Sequence, residues 1–164
     1  MKGFCFFLLL SLTLTWPVAA QQTYTWLQAR LSAADSIVVV SHEDFRGAVD
    51  SLGNSRPVPP LLTKGHPNYP VFIKHRALTA GQRVELGRIL VRPYQDKTNV
   101  TMKCCAPHHA IFLIKGDQTS FINLCLGCRC IDTSADLARL YQFDSRKWTE
   151  LRGFFTRLGL DYGF

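Results

Sequence analysis

The chain has 164 residues, a formal net charge of +7, 47% hydrophobic residues and six cysteines. That length suits one domain with a real core. The basic residues are scattered (Arg83, Arg88 and Arg92 in one segment, Arg146, Lys147, Arg152 and Arg157 in another) with no interleaved aromatic ladder, which argues against a nucleic-acid-binding protein.

Residues 1–20 read as a secretory signal peptide. Lys2 supplies the basic start, Phe4 to Leu14 the apolar centre, and Val18-Ala19-Ala20 the small-residue cleavage site. The apolar run is shorter than the roughly 20 residues of a membrane-crossing helix. Cys5 stands before the core of that run, Phe6 to Leu10, a poor position for a lipid anchor. Cleavage after Ala20 leaves residues 21–164 as a single domain, secreted or periplasmic, with no integral membrane anchor. No partner is indicated.

Gln21 to Ala34 has helical character. Ser36 to Ser41 contains Ile37-Val38-Val39-Val40, a β-branched run that predicts a buried strand. From about residue 43 to 68 periodicity disappears among Gly47, Gly53, Asn54, Pro57, Pro59, Pro60, Gly65 and Pro67, so a long irregular loop is expected. Tyr69 to Lys74 is a second strand candidate. Thr79 and Gln82 have the spacing of a capping box, opening a helix that Pro93 ends, with Val84, Leu86, Ile89 and Leu90 as its apolar side.

His109 to Lys115 and Thr119 to Leu126 read as two strands joined by a tight turn at Gly116-Asp117. Ala110 to Ile114 is apolar throughout, so this strand should be covered on both faces. Ser145 is placed to cap a last helix reaching about Leu158. Trp148, Leu151, Phe154, Phe155 and Leu158 form one face, and Gly159 stands just past its end. The fold class is α+β: a small antiparallel sheet with a central hairpin, packed against two or three helices.

With Cys5 removed, an odd set of five cysteines remains: Cys104, Cys105, Cys125, Cys128 and Cys130. In an oxidising compartment such neighbours usually become disulfides. The hairpin brings them together. With a two-residue turn, His108 falls opposite Cys125 and Cys105 opposite Cys128. With a three-residue turn, His109 faces Cys125 and Cys104 faces Cys130. Three chemistries fit. One is a structural disulfide. Another is a metal site, for which Cys105, His109, Cys125 and Cys128 form a Cys3His set that zinc accepts. The last is a thiol activated by a neighbouring histidine. A Cys104–Cys130 bridge beside the Cys105/His109/Cys125/Cys128 site would combine the first two.

Other candidates are weaker. His42-Glu43-Asp44 groups acid–base residues at a strand end, His66 and His75 are isolated, and Asn99-Val100-Thr101 matches a glycosylation sequon. G-x-S-x-G, H-E-x-x-H, P-loop and dinucleotide-binding patterns are absent from the sequence.

The run Cys105-Ala106-Pro107-His108-His109, followed after a short hairpin by Cys125-Leu126-Gly127-Cys128, resembles an uncharacterised family of small secreted bacterial proteins with a C-x-P-x-H and C-[FL]-x-C core. The resemblance reaches loosely from Leu78 to Gly159, and Cys104 and Cys130 fall outside its pattern. It implies a bacterial exported protein and carries no activity with it. The leading functional expectation is therefore a non-enzymatic binding or envelope-associated protein with a structural cysteine–histidine cluster. The alternatives are a thiol enzyme or thiol-disulfide oxidoreductase using Cys125 or Cys128 with His109, and metal capture or delivery.

Overall fold

A computed structural model describes residues 18–43, 52, 59–93, 105–140 and 142–164. Most of the signal segment, Asp44, the sequon, Cys104 and much of the expected 43–68 loop lie outside the described residues. Helix α1 (Val18–Ala33) leads into strand β1 (Ser36–His42). A small hairpin, β2 (Leu62–Thr63) and β3 (His66–Pro67), precedes β4 (Phe72–Ala77) and α2 (Ala80–Val91). Strands β5 (His109–Lys115), β6 (Gln118–Cys125) and β7 (Cys130–Thr133) follow, and α3 (Ser145–Arg157) comes last. The main sheet has the order β4-β1-β5-β6-β7 and is antiparallel throughout. The α+β expectation holds. No helix among the described residues is long and apolar enough to cross a membrane.

The period-2 alternation of strands divides the core into two layers. Ile37 and Val39 of β1, Ile111 and Leu113 of β5, and Ile122 and Leu124 of β6 pack against the helices with Leu27, Leu86, Leu90, Leu151 and Phe155. Val38, Val40, Ala110 and Phe112 face the other way, onto Leu61, Leu62 and Phe72. Both central strands are thus buried on both faces, as their unbroken apolar runs require. Each fully buried Val, Leu, Ile or Phe among them contributes on the order of 1.5–3 kcal/mol by leaving water.

The helices are fixed at their ends. Thr79 and Gln82 complete the capping box of α2, with Gln82 N–H donating to Thr79 Oγ1 at 3.4 Å and Thr79 N–H to Gln82 Oε1 at 2.9 Å. The Arg83 guanidinium donates to the carbonyls of Ala34 and Asp35, just past the end of α1. Asp144, one residue before the expected Ser145, caps α3 by accepting from Lys147 N–H at 2.7 Å. It also pairs with Arg92 at 3.3 Å, which holds α2 to α3. At the other end of α3, Gly159 has φ +68, the left-handed conformation that ends a helix. Gly159 N–H donates to Thr156 O and Leu160 N–H to Phe155 O, the paired bonds of a Schellman turn. That turn buries Leu160 completely.

Three expectations shift. Part of the expected loop forms the β2–β3 hairpin, whose turn has left-handed backbone at both Lys64 (φ 52) and Gly65 (φ 81). Two-residue strands are too short to show a period. The strand expected at Tyr69 starts instead at Phe72, because Tyr69–Val71 forms a 3-10 turn around Pro70. Val84, expected on the apolar side of α2, is exposed.

Candidate functional site

The cysteines gather where β6 and β7 meet the segment entering β5. Lys115 pairs with Gln118, so the β5–β6 turn has the two residues Gly116 and Asp117. The register then places His109 opposite Leu124. Beyond Cys125, however, β6 does not continue. Residues 126–129 form a turn, Arg129 takes a left-handed φ of 56, and the chain returns as β7 with Cys130 directly opposite Cys125. The continued register that would bring Cys105 to Cys128 therefore stops three residues short.

Two disulfides result. Cys105 is bonded to Cys130 with Cα atoms 5.7 Å apart, and Cys125 to Cys128 with Cα atoms 5.4 Å apart. Both separations lie in the usual range for bridged cysteines. Cys130 thus has Cys105 as its partner, where the sequence suggested Cys104, because the β6–β7 turn swings Cys130 beneath the Cys105 segment. That segment stays tied to the sheet as far as His108: His108 N–H donates to Leu124 O and His42 N–H to His108 O. Pro107 has no N–H to extend the ladder.

The cluster is shielded. Cys125, Cys128 and Cys130 are buried and Cys105 is half-buried. Cys128 N–H points at Cys125 Sγ at 3.0 Å, and Ala106 N–H at Cys128 Sγ at 3.5 Å. The sulfurs of Cys125, Cys128 and Cys130 all lie within 4.8 Å of one another, a grouping that could hold a metal ion.

His109 does not join them. It shares a face with Ile111 and Leu113, which pack under the helices, whereas Cys125 follows Leu124 and so takes the opposite face. Its ring is fully buried, 5.0 Å from Phe155 and 4.9 Å from Phe164. Nε2 donates to Leu160 O at 2.9 Å, which the Schellman turn of α3 presents to it. Nδ1 is buried without a hydrogen-bond partner. Burial pushes its pKa down from 6.5 to about 4, helped by the nearby His42 and His108, while the bond to Leu160 opposes the shift. The ring is therefore a neutral core imidazole at pH 7. The four residues Cys105, His109, Cys125 and Cys128 are not one ligand set here; strand alternation removes the histidine, and Cys130 stands in its place.

Sequence reasoning missed a pairing on the cysteine face. His42 Nε2 lies 3.0 Å from Asn123 Oδ1, and Nδ1 lies 2.8 Å from Glu43 O. Both ring nitrogens of His42 are thus engaged with oxygens of the protein and neither is directed at a sulfur by these contacts. Asn123 is two residues from Cys125 on one strand, and its alignment with His42 depends on the β1–β5–β6 register, which no local motif encodes. The signal that could have revealed β7 is the four-residue spacing between Cys125 and Cys130, a length that hairpin loops use. His108 edges onto Tyr162 with ring centroids 5.5 Å apart. His66 and His75 are exposed. Comparison of the chain with protein-family models, curated proteins and solved structures returns no match.

Proposed function

We propose that this is an exported, non-enzymatic binding or envelope-associated protein whose cysteine cluster is a structural clamp. The observation that carries the reading is the pairing of four cysteines as two disulfides at one end of the sheet. Export favours it, because disulfides persist outside the reducing cytosol. The clamp has a clear task. Strand β7 has only four residues and lies at the sheet edge, where short strands are weakly held. Cys105–Cys130 fastens its first residue to the lead-in of β5.

A thiol enzyme needs a free nucleophile and a base within hydrogen-bond reach. Here the four thiols are consumed, His109 lies under the helices, and His42 is bonded at both nitrogens. A second reading, a structural zinc site, is supported by the close approach of three sulfurs.

Native alkylation followed by peptide mapping tests the clamp. Protein isolated without reductant should show Cys105 linked to Cys130, Cys125 linked to Cys128, and label at no cysteine except Cys104. Fast labelling of Cys125 or Cys128 at neutral pH would overturn the reading in favour of thiol chemistry. Recovery of a mature chain beginning near Gln21 from the exported fraction would support the localisation, and retention of the full chain in the cytosol would refute it.

A further inference from the structure

We propose that the clamp is also a redox-controlled metal site: with both disulfides opened, Cys105, Cys125, Cys128 and Cys130 hold one tetrahedral divalent ion of the zinc class as four thiolates. This deepens the structural reading above and rests on it. Three of the sulfurs already lie within 4.8 Å of one another, and the fourth is bonded to Cys130. Tetrahedral zinc with bonds of about 2.3 Å sets its sulfurs about 3.8 Å apart. Bonded sulfurs must therefore part and the others draw slightly together. Side-chain rotations supply such movements while the β5–β6–β7 ladder stays as it is.

The backbone around the sulfurs suits charge. N–H groups of Cys128 and Ala106 point at Cys125 Sγ and Cys128 Sγ. A hydrogen bond to an ionised acceptor is roughly twice as strong as a neutral one, so these donors favour a thiolate over a disulfide sulfur. The left-handed turn at Arg129 brings Cys130 back beside the Cys125-x-x-Cys128 loop, which makes the set compact. Half-buried Cys105 is the ligand through which a reductant or an ion gains access.

The chemistry balances. Each disulfide accepts two electrons and two protons from a dithiol reductant, which leaves as its own disulfide. The ion then displaces four thiol protons to solvent, forming four metal–sulfur bonds. Reoxidation by a disulfide oxidant removes two electrons from each cysteine pair, breaks the four metal–sulfur bonds, reforms both S–S bonds and releases the ion. Each oxidant takes two protons from solvent and leaves as its dithiol.

The test uses the full mature chain. Protein reduced anaerobically is titrated with Co2+, followed by absorption, then with Zn2+ in competition with a chromophoric chelator. The expected result is one ion per chain, with the visible bands of tetrahedral cobalt and a strong thiolate charge-transfer band. Cys130→Ala and Cys105→Ala should each weaken binding at least tenfold and alter the bands, whereas His109→Gln should leave both unchanged. Far-UV circular dichroism reports the fold. A reduced chain that unfolds but refolds on adding Zn2+ supports the proposal, and one that stays unfolded with Zn2+ refutes it. A reduced, folded chain that binds no Co2+ refutes it, as does a loss in His109→Gln equal to that in Cys130→Ala. The two readings fail separately. Two disulfides on isolation with no metal uptake after reduction would sink the metal site and leave the clamp. Four thiols around a bound ion on isolation would sink the disulfide clamp and with it the redox control, leaving only the four-sulfur ion site.

Discussion

Removing the two disulfides one at a time should give unequal losses, with the larger one at Cys105–Cys130. Cross-linking restricts the unfolded chain by an entropy that grows with the logarithm of the loop closed. Cys105–Cys130 closes a separation of 25 residues and Cys125–Cys128 a separation of 3. The loop relation gives about 3.5 kcal/mol for the first and about 1.5 kcal/mol for the second, a gap of about 2 kcal/mol. Side-chain packing predicts the reverse order. Cys125 and Cys128 are both buried, whereas Cys105 is only half-buried, so truncating the Cys125/Cys128 pair removes more packed sulfur. The comparison is therefore between the double variants Cys105→Ala/Cys130→Ala and Cys125→Ala/Cys128→Ala, unfolded in urea without reductant. In a thermal scan the gap should appear as a Tm difference on the order of 8 °C. With a strong reductant present the wild-type chain should lose stability, because its cross-links are gone. Equal losses, or a larger loss for Cys125→Ala/Cys128→Ala, would refute the argument that the long bridge is the principal staple. No loss on reduction would refute the clamp altogether.

Two further outcomes follow from buried titratable groups. His109 is neutral when folded down to about pH 4, while its unfolded value is 6.5. Above pH 6.5 its full contribution is present. As pH falls from 6.5 towards 4 the unfolded chain takes up a proton that the folded chain refuses, so stability drops by about 3 kcal/mol and then levels. His109→Gln, which keeps a donor for Leu160 O, should flatten that part of the urea-derived pH profile; an unchanged slope would refute the assignment. Lys147 is 2% exposed, and burial lowers its pKa to about 8, with Arg92 adding to the shift and Asp144 opposing it. Lys147 is therefore still charged in the folded chain at pH 7, at a cost in desolvation, and wild-type stability should rise between pH 8 and 10.5 as the folded chain alone releases the proton. Lys147→Met forfeits the 3.1 Å bond to Leu90 O but removes a buried charge, so it should equal or exceed wild type at pH 7 and lack the alkaline rise. A loss above about 2 kcal/mol at pH 7 would show that the hydrogen bond outweighs the desolvation.

Much of the fold was legible because it is encoded locally. The β-branched run of β1 and the apolar run of β5 announce strands covered on both faces, and both are. The capping box at Thr79 and the glycine after α3 mark helix ends by side-chain and backbone chemistry within four residues. Elements that slipped are those whose signal is shorter than a period. The β2–β3 hairpin has two residues per strand, and β7 has four. The cap of α3 moved from Ser145 to Asp144 because both residues can cap, and the aspartate also gains the Arg92 ion pair, a contact 52 positions away.

The site was legible as a meeting of residues but not as a set of partners. Hairpin arithmetic brought the four described cysteines to one end, since Lys115 pairs with Gln118. It assumed that β6 runs on, and the chain instead reverses after Cys125. That reversal replaces Cys128 by Cys130 opposite the β5 lead-in, and it decides which sulfurs are bonded. The histidine was lost for a different reason. A strand points neighbouring side chains to opposite faces, so His109 and the cysteines share a level in the sheet without sharing a side. The helix face then claims the ring through Leu160 O, which only the turn after α3 places there. Spacing that admits a Cys3His centre on paper thus folds into an all-sulfur cluster on one face and a buried neutral imidazole on the other. His109→Gln should therefore change acid stability and leave the cysteine chemistry alone.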